Sequence, residues 1–202
     1  MGFGQRSNST FFNIIDGKFA VRVQKETPGA VARTNKNGEV VYEIHHDNIS
    51  ARLENISIRE GDYGKEWIVR LADVDEKYTL QISYSSRFAK SFLFCLPKID
   101  LNKEVTLTPY QTIKNDKKQS VMFVNQDGEA IKWAYTKDKP NGLPPMEKIM
   151  VKGVETWDDS KQLLFLEAMV KEKFADQEEI PQKTKEQLVN NDILKETDDL
   201  PF

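Results

Sequence analysis

The stretch Asn48 to Arg59, NISARLENISIR, decides how the rest of the chain is read. Ile49, Ala51 and Leu53 alternate on one face, then the phase slips by one and Ile56 and Ile58 continue that face, which predicts a β-bulge at Glu54-Asn55. Small Greek-key barrels need a long, bent first strand of this kind because it serves both halves of the barrel. Downstream, the turn Gly61-Asp62-Tyr63-Gly64 leads into a strand over Lys65 to Val74. The polar turn Asp75-Glu76 then leads into a strand over Lys77 to Tyr84, in which Tyr78, Leu80, Ile82 and Tyr84 share a face. Upstream, Phe11 to Ile15, the Asp16-Gly17 pair and Lys18 to Val23 predict a hairpin, with Phe19, Val21 and Val23 alternating against Ala20 and Arg22. Asn37-Gly38 marks a second hairpin between Ala30 to Thr34 and Glu39 to His46, where Val40, Tyr42, Ile44 and His46 share a face.

After Tyr84 the apolar period changes. Phe88, Phe92, Leu93, Cys95 and Leu96 recur at helical spacing, Ser85 or Ser86 can cap the N-terminus, and Pro97 stands beyond the end. Strand alternation returns over Glu104 to Lys114, followed by a hairpin of Ser120 to Asn125, the Asp127-Gly128 turn and Glu129 to Thr136, with Ile131, Trp133 and Tyr135 on one face. Three strands, a short helix, a strand and a hairpin is the order of an oligonucleotide-binding barrel. The fold expected is therefore mainly β: an OB-fold-like Greek-key barrel with extra N-terminal hairpins and a short helix between its third and fourth strands. Asp138 to Pro145 reads as a loop, Met146 to Val154 as one further strand, and about 158–175 as an amphipathic helix beginning at Asp158-Asp159-Ser160. Its wide apolar stripe can pack on the barrel or on a second copy, so an oligomer is left open.

Residues 1–10, small and polar, read as a flexible arm carrying Arg6, and residues 11–175 as the folded domain. The chain of 202 residues carries a net charge of -3. From Asp176 onward there are 3 basic against 8 acidic residues, which leaves the body slightly basic. An acidic tail beside a basic body suits a protein that touches phosphate with one part and repels it with another. No apolar run approaches the roughly 18 residues of a membrane span, and the start lacks a signal peptide's apolar stretch, so the expectation is a cytoplasmic protein without membrane association. One cysteine, Cys95, excludes an internal disulfide and a cysteine-built metal site.

The residue types of catalysis are poorly placed. His45-His46-Asp47 has metal-ligand chemistry, but neighbouring strand residues point to opposite faces. Asp73, Asp75 and Glu76 lack the ligand spacing of a cation loop, and no phosphate-binding glycine loop or nucleophile motif occurs. No enzyme, cofactor or metal is expected. Single-stranded nucleic acid, by contrast, needs cations for phosphate and exposed rings for bases. Tyr110 opposes the apolar face of its strand, and Trp133 and Tyr135 flank Lys132. Lys114, Lys117 and Lys118 sit in the following loop. Trp67 lies among Lys65 and Arg70, next to Arg52 and Arg59 on the preceding strand. These are the candidate nucleic-acid-binding residues.

Residues 176–202 cannot bury enough apolar surface to offset their ordering entropy and read as a disordered acidic tail. It ends Asp198, Asp199, Leu200, Pro201 and Phe202, and a ring held out in water beside carboxylates has little use unless a pocket binds it. An acidic tail ending in Asp-Asp-hydrophobic-Pro-Phe resembles the C-terminal tip of bacterial and phage single-stranded-DNA-binding proteins. The resemblance implies a protein that binds and protects single-stranded DNA during replication, recombination and repair. It also implies that the tip recruits replication and repair proteins, in the host cytoplasm if the chain is phage-encoded. The alternative is a β-rich structural or assembly protein of virion type with a docking tail.

Overall fold

The computed structural model describes residues 9–61 and 64–175. Residues 1–8 of the expected arm, the turn residues Asp62 and Tyr63, and the whole tail with its tip lie outside the described residues; Ser9 and Thr10, also expected in the arm, instead open the first strand by pairing with Lys77 and Tyr78. The elements in chain order are β1 (Ser9–Ile15), β2 (Lys18–Val23), β3 (Val31–Thr34), β4 (Val40–His46), β5 (Ile49–Gly61), β6 (Gly64–Ala72) and β7 (Lys77–Ser83). Then follow α1 (Arg87–Cys95), a 3-10 turn over Leu96–Lys98, β8 (Glu104–Lys114), β9 (Lys117–Gln126), β10 (Glu129–Ala130), β11 (Glu147–Val151), β12 (Val154–Asp158) and α2 (Ser160–Phe174). The fold is mainly β. Among the described residues β1 to β10 form one mixed sheet in the order β10-β9-β8-β5-β6-β7-β1-β2-β4-β3, and β11 and β12 form a separate two-stranded sheet.

The expected bulge is present in β5. Leu53 pairs with Leu71 and Asn55 with Arg70, leaving Glu54 without an opposite residue on β6. Ala51, Leu53 and Ile56 are all buried as a result; an unbroken alternation would turn Ile56 outward. The first part of β5, Ile49 to Arg52, pairs with β8, and the part from Arg52 to Gly61 pairs with β6. The bulge thus falls where the strand leaves one neighbour and bends to follow the other.

The N-terminal hairpins are built into the sheet instead of standing beside a barrel. β1 runs parallel to β7, from Ser9 opposite Lys77 to Phe12 opposite Leu80, and then pairs antiparallel with β2. β9 is hydrogen-bonded to β8 and β10, so β1 and not the last strand of the expected barrel lies against β7. The β1–β2 turn reaches across to β8. Asp16 and Gly17 adopt φ of 47° and 78°, and a Cβ on Gly17 would stand 2.7 Å from the backbone nitrogen of Gln111.

α1 closes the core from one side. Ser86 caps it by accepting the Ala89 N–H at 3.1 Å, and Phe92, Leu93 and Cys95 are buried. Its Ser91 hydroxyl accepts the Met122 N–H at 2.7 Å, which satisfies a donor on the outer edge of β9. α2 buries Leu163, Leu166, Val170 and Phe174. It is tied down by Lys90 of α1 pairing with Asp159 and by Tyr84 donating to Glu167. Burial, together with that hydrogen bond, pushes the Tyr84 hydroxyl far above its ordinary value.

Three local expectations are corrected. Glu129 to Thr136 is strand only as far as Ala130: the Ile131 N–H still donates to the Val124 carbonyl of β9 at 2.8 Å, but the backbone then turns to α1, where the Ala134 N–H donates to the Phe94 carbonyl at 2.7 Å, one of the acceptors a helix end leaves unused. Met146 to Val154 is not one strand but most of a hairpin turning at Lys152-Gly153, where φ is 50° and 81°. The β8–β9 connection is a tight turn at Asn115-Asp116, with Lys114 paired to Lys117 and Ile113 to Lys118. The lysines expected in a loop therefore stand at a hairpin tip.

Gly17→Ala combines a left-handed backbone with a backbone collision, and should lower stability by about 2 to 3 kcal/mol. Gly128→Ala, left-handed at φ 79° but with open space around the added carbon, should cost about 1 kcal/mol; urea denaturation of both variants measures the difference. A second expectation concerns buried Glu43, which accepts from Arg33 Nε at 2.9 Å and Nη2 at 2.6 Å. The Arg33 hydrogen bonds, helped by His45, hold its carboxyl below the ordinary 4.5. A folded-state value below the unfolded one contributes stability that is complete above that ordinary value and is lost as pH falls through the folded value. Glu43→Gln should therefore remove part of the acid dependence of the melting temperature below about pH 4.5.

Candidate nucleic-acid interface

Strand pairing turns one face of β5, β6, β7 and β1 outward in registered rows. Arg52, Ala72, Lys77 and Ser9 form one row, and Asn55, Arg70, Thr79 and Phe11 the next. Ser57, Ile68 and Gln81 form a third, and Arg59, Glu66 and Ser83 a fourth. Arg70 and the Phe11 ring are thus two strand spacings apart, about 10 Å, with Thr79 between them. The face is concave, with a volume of about 660 Å³ lined by Phe11, Arg59, Ile68, Arg70, Lys77 and Gln81 among others. Phe11 is 59% exposed, because its neighbour Phe12 takes the inward position against Phe19 and Tyr78.

The polar groups of this face hold one another in place. Ser9 and Thr79 hydroxyls are 2.9 Å apart, and Glu66 accepts from Arg59 at 2.8 Å and from Gln81 at 3.3 Å. Arg52 lies 4.0 Å from Glu54. The result is a shallow trough with an apolar floor at Ile68, cations along it and one free aromatic face. Such a surface can take phosphates on its cations and a base on its ring.

A second exposed pair lies on the outward face of β8 and β9. Tyr110 and Phe123, each 51% exposed, stand with ring centroids 6.1 Å apart. The same hairpin carries Lys114, Lys117 and Lys118 at its tip, with Lys118 3.8 Å from Asp16. Trp133 is 44% exposed with its edge against Phe94, and it lies with exposed Lys132 on the irregular segment below α1, where its carbonyl accepts from Lys98.

The structure therefore groups Arg52, Arg59 and Arg70 on one face and Tyr110 with the three lysines on one hairpin, and leaves Lys132 and Trp133 apart from both. Two expected rings are core residues and cannot stack on bases. Trp67 is fully buried, lies stacked against Tyr84 at 5.3 Å and donates its indole N–H to the Tyr84 carbonyl at 3.0 Å. It shares its inward face with Val69 and Leu71. Tyr135 is buried between Phe94 and Phe165, at 5.8 and 5.5 Å, and burial raises its hydroxyl's pKa. Lys65 stands over the Tyr84 ring and 3.4 Å from Glu167, so its charge anchors α2. Phe11, Lys77 and Phe123 were missed. Their signal is present in the alternation: Phe11 beside Phe12, and Phe123 between Met122 and Val124.

His45 lies 3.4 Å from Glu43 and His46 packs its ring on Phe12, each on its own face of β4. Among the described residues no group of three or more His, Cys, Asp or Glu is placed to hold a metal ion. Burial pushes the Cys95 thiol up to about 11. No helix among the described residues is long and apolar enough to cross a membrane. No protein family matches the chain, and neither a curated protein nor a solved structure matches it.

Removing a fully buried ring leaves a cavity, so Trp67→Ala should destabilise the fold by about 3 to 5 kcal/mol. Trp133→Ala, at a half-exposed position, should cost no more than about 1 kcal/mol. Thermal unfolding of the two variants, compared with the unsubstituted chain, checks the assignment of inside and outside.

Proposed function

We propose that the protein binds single-stranded DNA without catalysis, through the outward face of β5, β6, β7 and β1, and recruits replication and repair proteins through Asp198 to Phe202. The observation that carries this reading is the exposed Phe11 ring in a concave face with Arg59, Arg70 and Lys77. The succession β5, β6, β7, α1, β8, β9 supports an oligonucleotide-binding architecture, in which the second and third strands form the nucleic-acid face; β6 and β7 hold those positions. In this reading β1 supplies the wall beside the third strand and, with Phe11, a stacking platform. The tip's role rests on its composition and on its resemblance to the family's tip.

Fluorescence titration with oligo-dT tests the face. With about four to six phosphate contacts, the binding constant should fall with salt at a log-log slope of roughly -3 to -4. Phe11→Ala should weaken binding by about 1 to 3 kcal/mol, and Tyr110→Ala by a similar amount if the strand continues onto the β8–β9 hairpin. Both rings are exposed, so the variants should fold normally. A flat salt response with unchanged binding in Phe11→Ala overturns the reading, and the β-rich assembly protein then takes its place. Deleting Phe202 should leave oligo-dT affinity unchanged and abolish capture of replication proteins from a bacterial lysate; retained capture removes the tip from the proposal.

A further inference from the structure

The β11–β12 hairpin belongs to neither the main sheet nor the proposed binding face. Every residue from Glu147 to Trp157 is exposed, including Met150 at 69%, Val154 at 65% and Trp157 at 57%. A two-stranded hairpin open to water on both faces is marginally stable by itself, and a cluster of exposed apolar side chains marks a contact surface. The charges on its strands are paired locally, while Lys152 stands at the turn. Lys148 pairs with Glu155 at 2.8 Å and lies over the Trp157 ring, and Glu147 pairs with Lys161 of α2. With its strand charges paired, such a surface offers little field for phosphate or for an acidic segment. Among the described residues β11 pairs only with β12, so its other edge presents unpaired backbone donors and acceptors.

We propose that this edge pairs with β11 of a second copy, antiparallel about a twofold axis at Ile149, to make a four-stranded sheet across a homodimer. The charges on the strand select that register among axes inside it, since an axis at its last residue, Val151, leaves no strand beyond the axis to pair. A twofold axis normal to a sheet makes opposed residues share a face, so the axis must pass at a residue and not between two. An axis at Lys148 sets Lys148 opposite Lys148 of the second copy, and one at Met150 sets Lys148 opposite Lys152. An axis at Ile149 sets Lys148 opposite Met150 and Glu147 opposite Val151, with no like charges facing. It also brings Ile149, Val151 and Val154 of both copies onto one face, with Glu147 beside them. The edge of β12 serves worse, because Glu155, Asp158 and Asp159 would bring three carboxylates from each copy to one seam. Leu164, 60% exposed, lies one turn beyond Lys161 on α2, at the root of the hairpin.

Sedimentation velocity of the full chain at about 1 to 100 µM tests this, since an interface of two strand edges is small and associates in that range. A concentration-dependent dimer is expected, and Ile149→Lys should weaken it at least tenfold with no change in thermal unfolding. Mild oxidation of Ile149→Cys should give a covalent dimer, because residues at the axis lie about 5 Å apart. Val151→Cys should not, being about 13 Å from its own copy along the strand; Cys95 is buried. A chain that stays monomeric at the highest concentration, a dimer that survives Ile149→Lys, or equal crosslinking at 149 and 151 overturns the proposal. So does an Ile149→Lys variant that loses oligo-dT binding at unchanged mass, which would make the hairpin part of a nucleic-acid surface.

Discussion

Glu54 has no partner on β6, and that single unpaired residue lets β5 keep its apolar side chains inward through a bend. Ala51 faces the core beside β8, and Leu53 and Ile56 face it beside β6 on either side of the bulge. Moving the strand by one residue without the bulge would expose Ile56 and turn the intervening polar side chains into the core. The outward rows depend on the same slip, because Arg52 and Arg59 are an odd number of residues apart and would otherwise lie on opposite faces. Core packing and the cationic face are two consequences of one irregularity.

The parallel pairing of β1 with β7 extends this arrangement. Phe12 enters the core against Phe19, while Phe11 turns out beside Thr79. The β1–β2 turn then closes on β8 through Gly17, the position where a side chain would strike the Gln111 backbone. A segment that reads as an appendage therefore supplies both a wall of the core and the aromatic group of the trough. α1 and α2 cover what the sheet leaves open, α1 through Ser91 on the edge of β9 and α2 through the Tyr84, Glu167 and Lys65 cluster.

Aromatic side chains separate into two populations by what covers them. Trp67 and Tyr135 meet other rings and are buried, with Trp67 also satisfying its polar atom on a backbone carbonyl. Phe11, Tyr110 and Phe123 stand on outward faces of strands whose inward neighbours fill the core. Phe11 stands with Arg59, Arg70 and Lys77 in the trough, and Tyr110 and Phe123 stand on the hairpin that carries Lys114, Lys117 and Lys118.

Alternation within each strand, the bulge in β5, the cap at Ser86 and the start of α2 were all legible in the residues, because each depends on neighbours within a few positions. The acidic composition of residues 176–202 and the ring at their end are likewise properties of the sequence itself. What alternation could not say is which face of a strand is covered. That depends on partners far along the chain: Thr79 set beside Phe11 turns Phe11 outward at the seam, and Tyr84 covers Trp67. The same holds for Ile131 to Thr136, which reads as a strand yet leaves β9 after Ile131 for the Phe94 carbonyl of α1, and for Lys148 to Trp157, whose two halves pair, among the described residues, only with each other. Local periodicity selects a conformation and divides a strand into two faces, and only the long-range pairing decides which face meets protein and which meets water.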